Sequence, residues 1–218
     1  NVCQKRGIDK RSFAVITQVV VDPKDPAFDN PSKPIGVFYS QKDAQKLTEE
    51  LGWELVEDAG RGFRRVVPSP NPLEIVEMKI FHEVLEAGFI AIGGGGGGIP
   101  VVRGSNGELN GVEAVIDKDR TSALLANEVG IEQLIILTGV DFACLNYKSP
   151  QLQPIKNITV DKMEYYLKQG EFMEGSMKPK VEAAIDFVKN GGKKAIIANL
   201  YDLLPATEGK TGTHISAD

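Results

Sequence analysis

An α/β fold, with a largely parallel sheet covered by helices on both faces, is what this sequence predicts, and three features predict it. Short apolar runs rich in Val and Ile recur along the chain, segments with helical apolar spacing lie between them, and glycine, proline and capping residues mark the changeovers. Such alternation implies parallel strands joined by right-handed crossovers, with ligands bound at the carboxyl ends of the strands. The 218 residues are 42% hydrophobic and 25% charged, the balance of one globular domain with a small appendage.

Taken in order, residues 12 to 21 (SFAVITQVVV) are β-branched and apolar, as a buried strand requires, and Asp22-Pro23 ends it. A loop rich in Pro, Asp, Asn and Lys follows as far as Pro34. Ser40 caps a helix over Gln41–Leu51 with Gly52 at its stop. Residues 53 to 57 and a Gly/Arg-rich stretch complete an excursion, 28 to 65, outside the main core. A helix is expected over 73 to 87, where Ile75, Val76, Ile80, Val84 and Leu85 roughly keep the helical period. Then come a strand over 89 to 92, the glycine loop 93 to 98, extended chain from Ile99 to Val102, a strand end near Val115-Ile116, a helix over 119 to 129 and a strand over 134 to 137. Thr159 caps a helix through Lys168, a helix with Pro179 in its first turn runs to about Asn190, and 194 to 198 is a further strand.

Composition narrows the functions. The net charge is −5 with the basic residues scattered, which argues against a nucleic-acid partner. No run approaches the roughly 20 apolar residues of a membrane span, and no signal-peptide pattern opens the chain, so a cytoplasmic protein is expected. Cys3 and Cys144 sit in no paired motif, and His82 and His214 are the only histidines, so a disulfide framework or a zinc site has no support and structural roles are expected. Any metal must use oxygen ligands.

Four segments carry candidate chemistry. The run Gly93 to Gly98 strips every Cβ from one loop and lets successive N–H groups close on an anion, where a structural turn needs one or two glycines. It contains a GxGxxG spacing, but extended chain rather than a helix follows, and no Lys-Ser or Lys-Thr comes after Gly98, so neither a dinucleotide fingerprint nor a Walker A loop fits. Asp117-Lys118-Asp119 lies between a strand and a helix. Two roles are open to it: a helix cap, or a phosphate-reaching Lys118 held by Asp119. Lys178 and Lys180 stand at a helix N-terminus, against the usual preference for acidic residues, which points to a bound anion; two solvated lysines are the alternative. Thr138-Gly139-Val140-Asp141 and Gly209-Lys210-Thr211-Gly212-Thr213 are loops of compatible chemistry, uninformative alone.

Together, in order, these stretches resemble the carbamate kinases of the amino-acid kinase superfamily: TQVVVD (17 to 22), KPIGVFYS (33 to 40), EDAGRGFRRVVPSP (57 to 70), GGGGIPV (95 to 101), GVEAVIDKD (111 to 119), LIILTGVD (134 to 141), GSMKPKVEAAIDFV (175 to 188) and EGKTGT (208 to 213). The resemblance implies a three-layer αβα sandwich with a protruding subdomain near 28 to 65, a homodimer, and reversible phosphoryl transfer between ATP and carbamate with Mg²⁺ on the nucleotide, in catabolic settings toward ATP. It implies that Lys33, Lys118 and Lys180 meet the transferring phosphoryl group and that Asp119 organises them. It places Gly94, Gly95, Gly96 and Gly97 around the carbamoyl phosphate end, and Asp141, Tyr147, Met177 and Lys180 at the nucleotide. Gly139 stands where the family often has Asp. The family begins with a strand and a Gly-Gly-Asn loop that have no counterpart in these residues, so 1 to 218 are expected to be the C-terminal portion of a single kinase domain. The alternatives are a superfamily member acting on a carboxylate such as acetylglutamate, against which the 57 to 70 phrase counts, and a non-catalytic protein that binds nucleotide or carbamoyl phosphate.

Overall fold

The computed structural model describes residues 2–58, 60–147 and 149–218; Asn1, Ala59 (within the 57 to 70 phrase) and Lys148 lie outside the described residues. Helices and strands alternate as expected, and the strands form mixed sheets. In one four-stranded sheet Gln133–Thr138 pairs parallel with Lys194–Asn199; Thr213–Ser216 runs antiparallel beside the latter and parallel to Asn157–Thr159. A second four-stranded sheet is centred on Gln18–Val21, parallel to Ile99–Arg103 and antiparallel to Pro72–Ile75, with Leu109–Gly111 at its edge. The central pairing is antiparallel in the first sheet, between parallel outer pairs, and parallel in the second, between antiparallel outer pairs.

The largest core packs Met163, Val181, Ile185 and Phe187 of two helices against Ala195, Ile197 and Ile215 of the first sheet. Each of the Met, Val, Ile and Phe side chains, taken fully out of water, contributes roughly 1.5–3 kcal/mol. A second core joins Val19, Val21, Ile75, Phe81 and Ile116. The helices Lys118–Glu128 and Met177–Lys189 pack together, so the N-termini of both lie on the side that carries the candidate site.

Several helix limits fall where local chemistry demands. The Gln41–Leu51 helix has the Ser40 hydroxyl accepting from the Asp43 N–H and Gly52 in the left-handed conformation. In the Lys118–Glu128 helix the Asp117 carboxylate accepts from the Asp119 N–H, a cap that contributes about 1 kcal/mol. The excursion is a small three-stranded antiparallel sheet of Lys33–Tyr39, Phe63–Val67 and Leu55–Glu57 beside the Gln41–Leu51 helix.

Three local expectations are corrected. The run 12 to 21 is two strands, Ser12–Ala14 parallel to Ile90–Ile92 and Gln18–Val21 in the second sheet, and only the latter is buried. Residues 72 to 75 form a strand, and the helix begins only at Met78. Val115 and Ile116 form no strand; the Val115 N–H bonds the Pro68 carbonyl alone.

Candidate active site

Lysines from three distant elements converge on two buried carboxylates. Lys33, first residue of the excursion's strand Lys33–Tyr39, pairs with Asp117. Lys118, at the start of its helix, bonds Asp119 at 2.5 Å, and Lys180, in the first turn of the Met177–Lys189 helix, reaches the other oxygen of Asp119 at 3.1 Å. The Asp119 side chain is 6% exposed, while Lys118 is 57% and Lys180 17% exposed. A buried carboxylate therefore holds two ammonium groups whose remaining N–H donors are free to meet an anion.

Asp117 is both cap and counter-ion. Burial pushes its carboxyl up, but the Lys33 ammonium and the N–H groups of Asp119 and Arg120 outweigh burial and hold it below the usual carboxylate range. A depressed native pKa contributes stability that is complete above the unfolded carboxyl's pKa and is lost as the pH falls through the native value. The Lys33 pair therefore stays intact at neutral pH.

The glycine loop follows the strand Ile90–Ile92 and forms a single turn over Gly95–Gly97. Two threonines brace it. Buried Thr17 accepts from the Gly94 N–H at 2.9 Å, and buried Thr121, on the helix that carries Lys118 and Asp119, donates to the Gly97 carbonyl at 2.8 Å. At Gly97, with φ of 103°, a Cβ would overlap the Ile116 carbonyl, so only glycine brings the loop this close to the segment that leads into Asp117. Nothing lies within 4 Å of a Cβ at Gly95 or Gly96, which leaves that face of the loop open.

A cavity of about 400 Å³ opens beyond the carboxyl end of the strand Gln133–Thr138. Its walls include Thr138, Val140, Phe142, Cys144, Tyr147, Phe172 and Met177, an apolar set suited to a flat heterocycle. Tyr147 and Met177, two of the residues that the resemblance assigns to the nucleotide, both line this cavity. Asp141, between the lining residues Val140 and Phe142, is not itself in the wall, its carboxylate accepting from Asn199 Nδ2 at 2.8 Å, and Lys180 belongs to the lysine cluster rather than to the cavity wall. Burial pushes the Cys144 thiol up, which keeps it un-ionised beside the cavity. His214 is buried with Nε2 on the Thr211 carbonyl at 2.9 Å, a structural placement.

Sequence reasoning missed Thr17, Thr121 and Asn199. Their partners are remote in sequence, and only the TQVVVD and GVEAVIDKD phrases passed near them. Among the described residues no three His, Cys, Asp or Glu side chains converge as a metal site, and no helix is long and apolar enough to cross a membrane.

Cationic charge set between an amide-lined loop and an apolar cavity, at the carboxyl ends of α/β strands, defines a phosphotransferase that acts on small anions. A sequence model of the amino acid kinase family matches residues 28–199. The carbamate kinase of Pyrococcus horikoshii is 52% identical over 216 residues, which cover 99% of this chain and 68% of that protein. The carbamate kinase of Staphylococcus epidermidis is 46% identical over 217 residues, covering 99% and 70%. Among solved structures, carbamate kinase from Giardia lamblia bound to AMP-PNP matches with a TM-score of 0.87 at 44% identity, covering 100% of this chain and 69% of that one. The same enzyme bound to citric acid matches with a TM-score of 0.92 at 42% identity, covering 100% and 68%. The chain belongs to the amino acid kinase family, on its carbamate kinase branch.

Proposed function

We infer that the protein catalyses reversible phosphoryl transfer, ATP plus carbamate giving ADP plus carbamoyl phosphate, and that in arginine catabolism it runs toward ATP. The observation that carries this reading is the meeting of Lys33, Lys118 and Lys180 on Asp117 and Asp119 beside the open face of the glycine loop. In the ATP-forming direction a terminal oxygen of ADP attacks phosphorus and the bond to carbamate breaks. Both partners are anions, so the demands are neutralisation and in-line positioning rather than proton transfer. On this reading Lys118 and Lys180 neutralise the transferring group, the amides of Gly94 to Gly97 receive the carbamoyl phosphate end, and Tyr147, Met177 and Asp141 hold the nucleotide. Asp117 and Asp119 are already engaged by lysines, so Mg²⁺ fits best as a partner of the nucleotide phosphates, where it supplies further charge neutralisation.

ATP formation from ADP and carbamoyl phosphate, followed in a coupled assay on the full-length protein, tests the reading. Turnover of a carboxylate such as acetylglutamate in place of carbamate, or nucleotide binding without turnover, overturns it. A cytoplasmic homodimer belongs to the same proposal, and sedimentation of the purified protein tests the dimer.

The excursion 28 to 65 is proposed as a lid. It has its own small sheet, and Lys33 sits where that sheet joins the site. Closure would bring Lys33 to the phosphate and exclude water. Hydrogen exchange of the amides in this segment is expected to slow by roughly tenfold or more when a substrate analogue is bound; unchanged exchange sinks the lid.

A further inference from the structure

Lys180 reaches Asp119 only while the helices Lys118–Glu128 and Met177–Lys189 keep their spacing at the site end. The groups that span this gap are Arg120, the residue after Asp119, and Glu182, two residues beyond Lys180. Arg120 Nη2 lies 2.6 Å from Glu182 Oε2, and both side chains are about three-quarters buried. The other branch of the same guanidinium donates to Asn71 Oδ1 at 2.7 Å, in the segment through which the excursion returns to the main sheet. Lys178 lies 4.0 Å from the second oxygen of Glu182.

Resting on the phosphoryl-transfer reading above, we propose that Arg120 is a positioning residue for the phosphoryl lysines: its guanidinium clamps the two helix N-termini and the base of the excursion into one register. A planar fork suits the task, because two N–H groups fixed relative to each other engage acceptors on two different segments at once, and an ammonium cannot impose that geometry. Arg120 acts through Glu182 on the helix that carries Lys180, and through Asn71 on the segment that leads back from the excursion carrying Lys33. About three-quarters buried and shared between partners, the pair is better placed to fix geometry than an exposed ion pair.

The experiment is a cycle of Arg120→Met, Glu182→Gln and the double variant in the full-length protein, with Arg120→Lys as a fourth arm. Each is measured for kcat and KM in ATP formation, for Tm, and for the acetylation rate of Lys180 relative to Lys162 by mass spectrometry. Arg120→Met is expected to lower kcat about tenfold with the KM for ADP within about twofold, since the cavity lies elsewhere. It is expected to raise Lys180 acetylation several-fold. Arg120→Lys recovers less than half of the lost kcat, and the double variant is no worse than the more damaged single. A fall in Tm with kcat and Lys180 acetylation unchanged makes the pair a plain structural brace and overturns the proposal. Should Arg120→Met not fold, Glu182→Gln carries the same readouts. Lys180 acetylation needs no turnover, so a wild-type protein inactive with carbamoyl phosphate would defeat the functional reading while the positioning claim is still decided.

Discussion

Replacing Lys118 or Lys180 with Ala in the full-length protein is expected to lower kcat by a factor of roughly 10² or more, with far-ultraviolet circular dichroism unchanged. Each lysine places an ammonium at the mouth of the site with one carboxylate oxygen behind it. A charge so held costs no reorganisation when the phosphoryl group passes, and its effect grows in the transition state, where anionic oxygens are spread around phosphorus. The two variants differ in the ground state: Lys180 is the more buried, so its loss leaves the inner oxygen of Asp119 without a counter-ion and lowers stability more than loss of Lys118. Steady-state kinetics of ATP formation with thermal unfolding of the same samples separates these effects. Near-normal turnover in either variant removes that lysine from the phosphoryl site.

Much of this architecture was legible in the chain because it is written in local chemistry. Ser40 and Gly52 bound one helix by a cap and a left-handed stop, and Pro179 marks the first turn of another. The failures are equally physical. Glu77 precedes the Met78–Glu86 helix without capping it, because its carboxylate is turned to the Gln18 N–H at 2.8 Å; no capping signal separates strand 72 to 75 from helix, and Ile75 and Val76 join Ile80, Val84 and Leu85 in a rough helical period. Within 12 to 21 the break comes at Thr17, whose hydroxyl bonds the Val15 carbonyl and receives the Gly94 N–H, diverting the backbone from a continuous ladder. A hydroxyl amid β-branched residues reads as more strand.

The candidate site divides in the same way. The glycine run, Asp117-Lys118-Asp119 and the lysines before Val181 stand out by composition at strand and helix ends. The resemblance then supplied Lys33, whose partner Asp117 is 84 residues away. What the chain concealed is that Asp117 is a cap and also the counter-ion of Lys33. It also concealed the bracing: Thr121 to Gly97, Arg120 to Glu182 and Asn199 to Asp141 join residues 24, 62 and 58 apart, and an ordinary Thr, Arg or Asn announces no such partner.

The glycine loop yields the other large expected effect, through a contrast between neighbours. At Gly97 a methyl group meets the Ile116 carbonyl, a backbone atom that cannot rotate aside, and the φ of 103° is strained for any side chain. Gly97→Ala must therefore shift the loop or the 115 to 117 segment, breaking the Thr121 hydrogen bond and disturbing the cap at Asp117. A loss of about 3 kcal/mol in stability, and of roughly 10² or more in kcat, is expected, from strain plus the lost alignment of loop and lysines. Gly95→Ala is the control for space: its Cβ would point into the open, and its φ lies outside the left-handed range, so Tm should move by no more than a few degrees. Any fall in its kcat or rise in the KM for carbamoyl phosphate then reports crowding of the anion rather than damage to the fold. Thermal unfolding and steady-state kinetics on the pair decide the matter. A Gly97→Ala protein with wild-type Tm and turnover would show that the close approach to Ile116 is not what holds the loop against the lysine cluster.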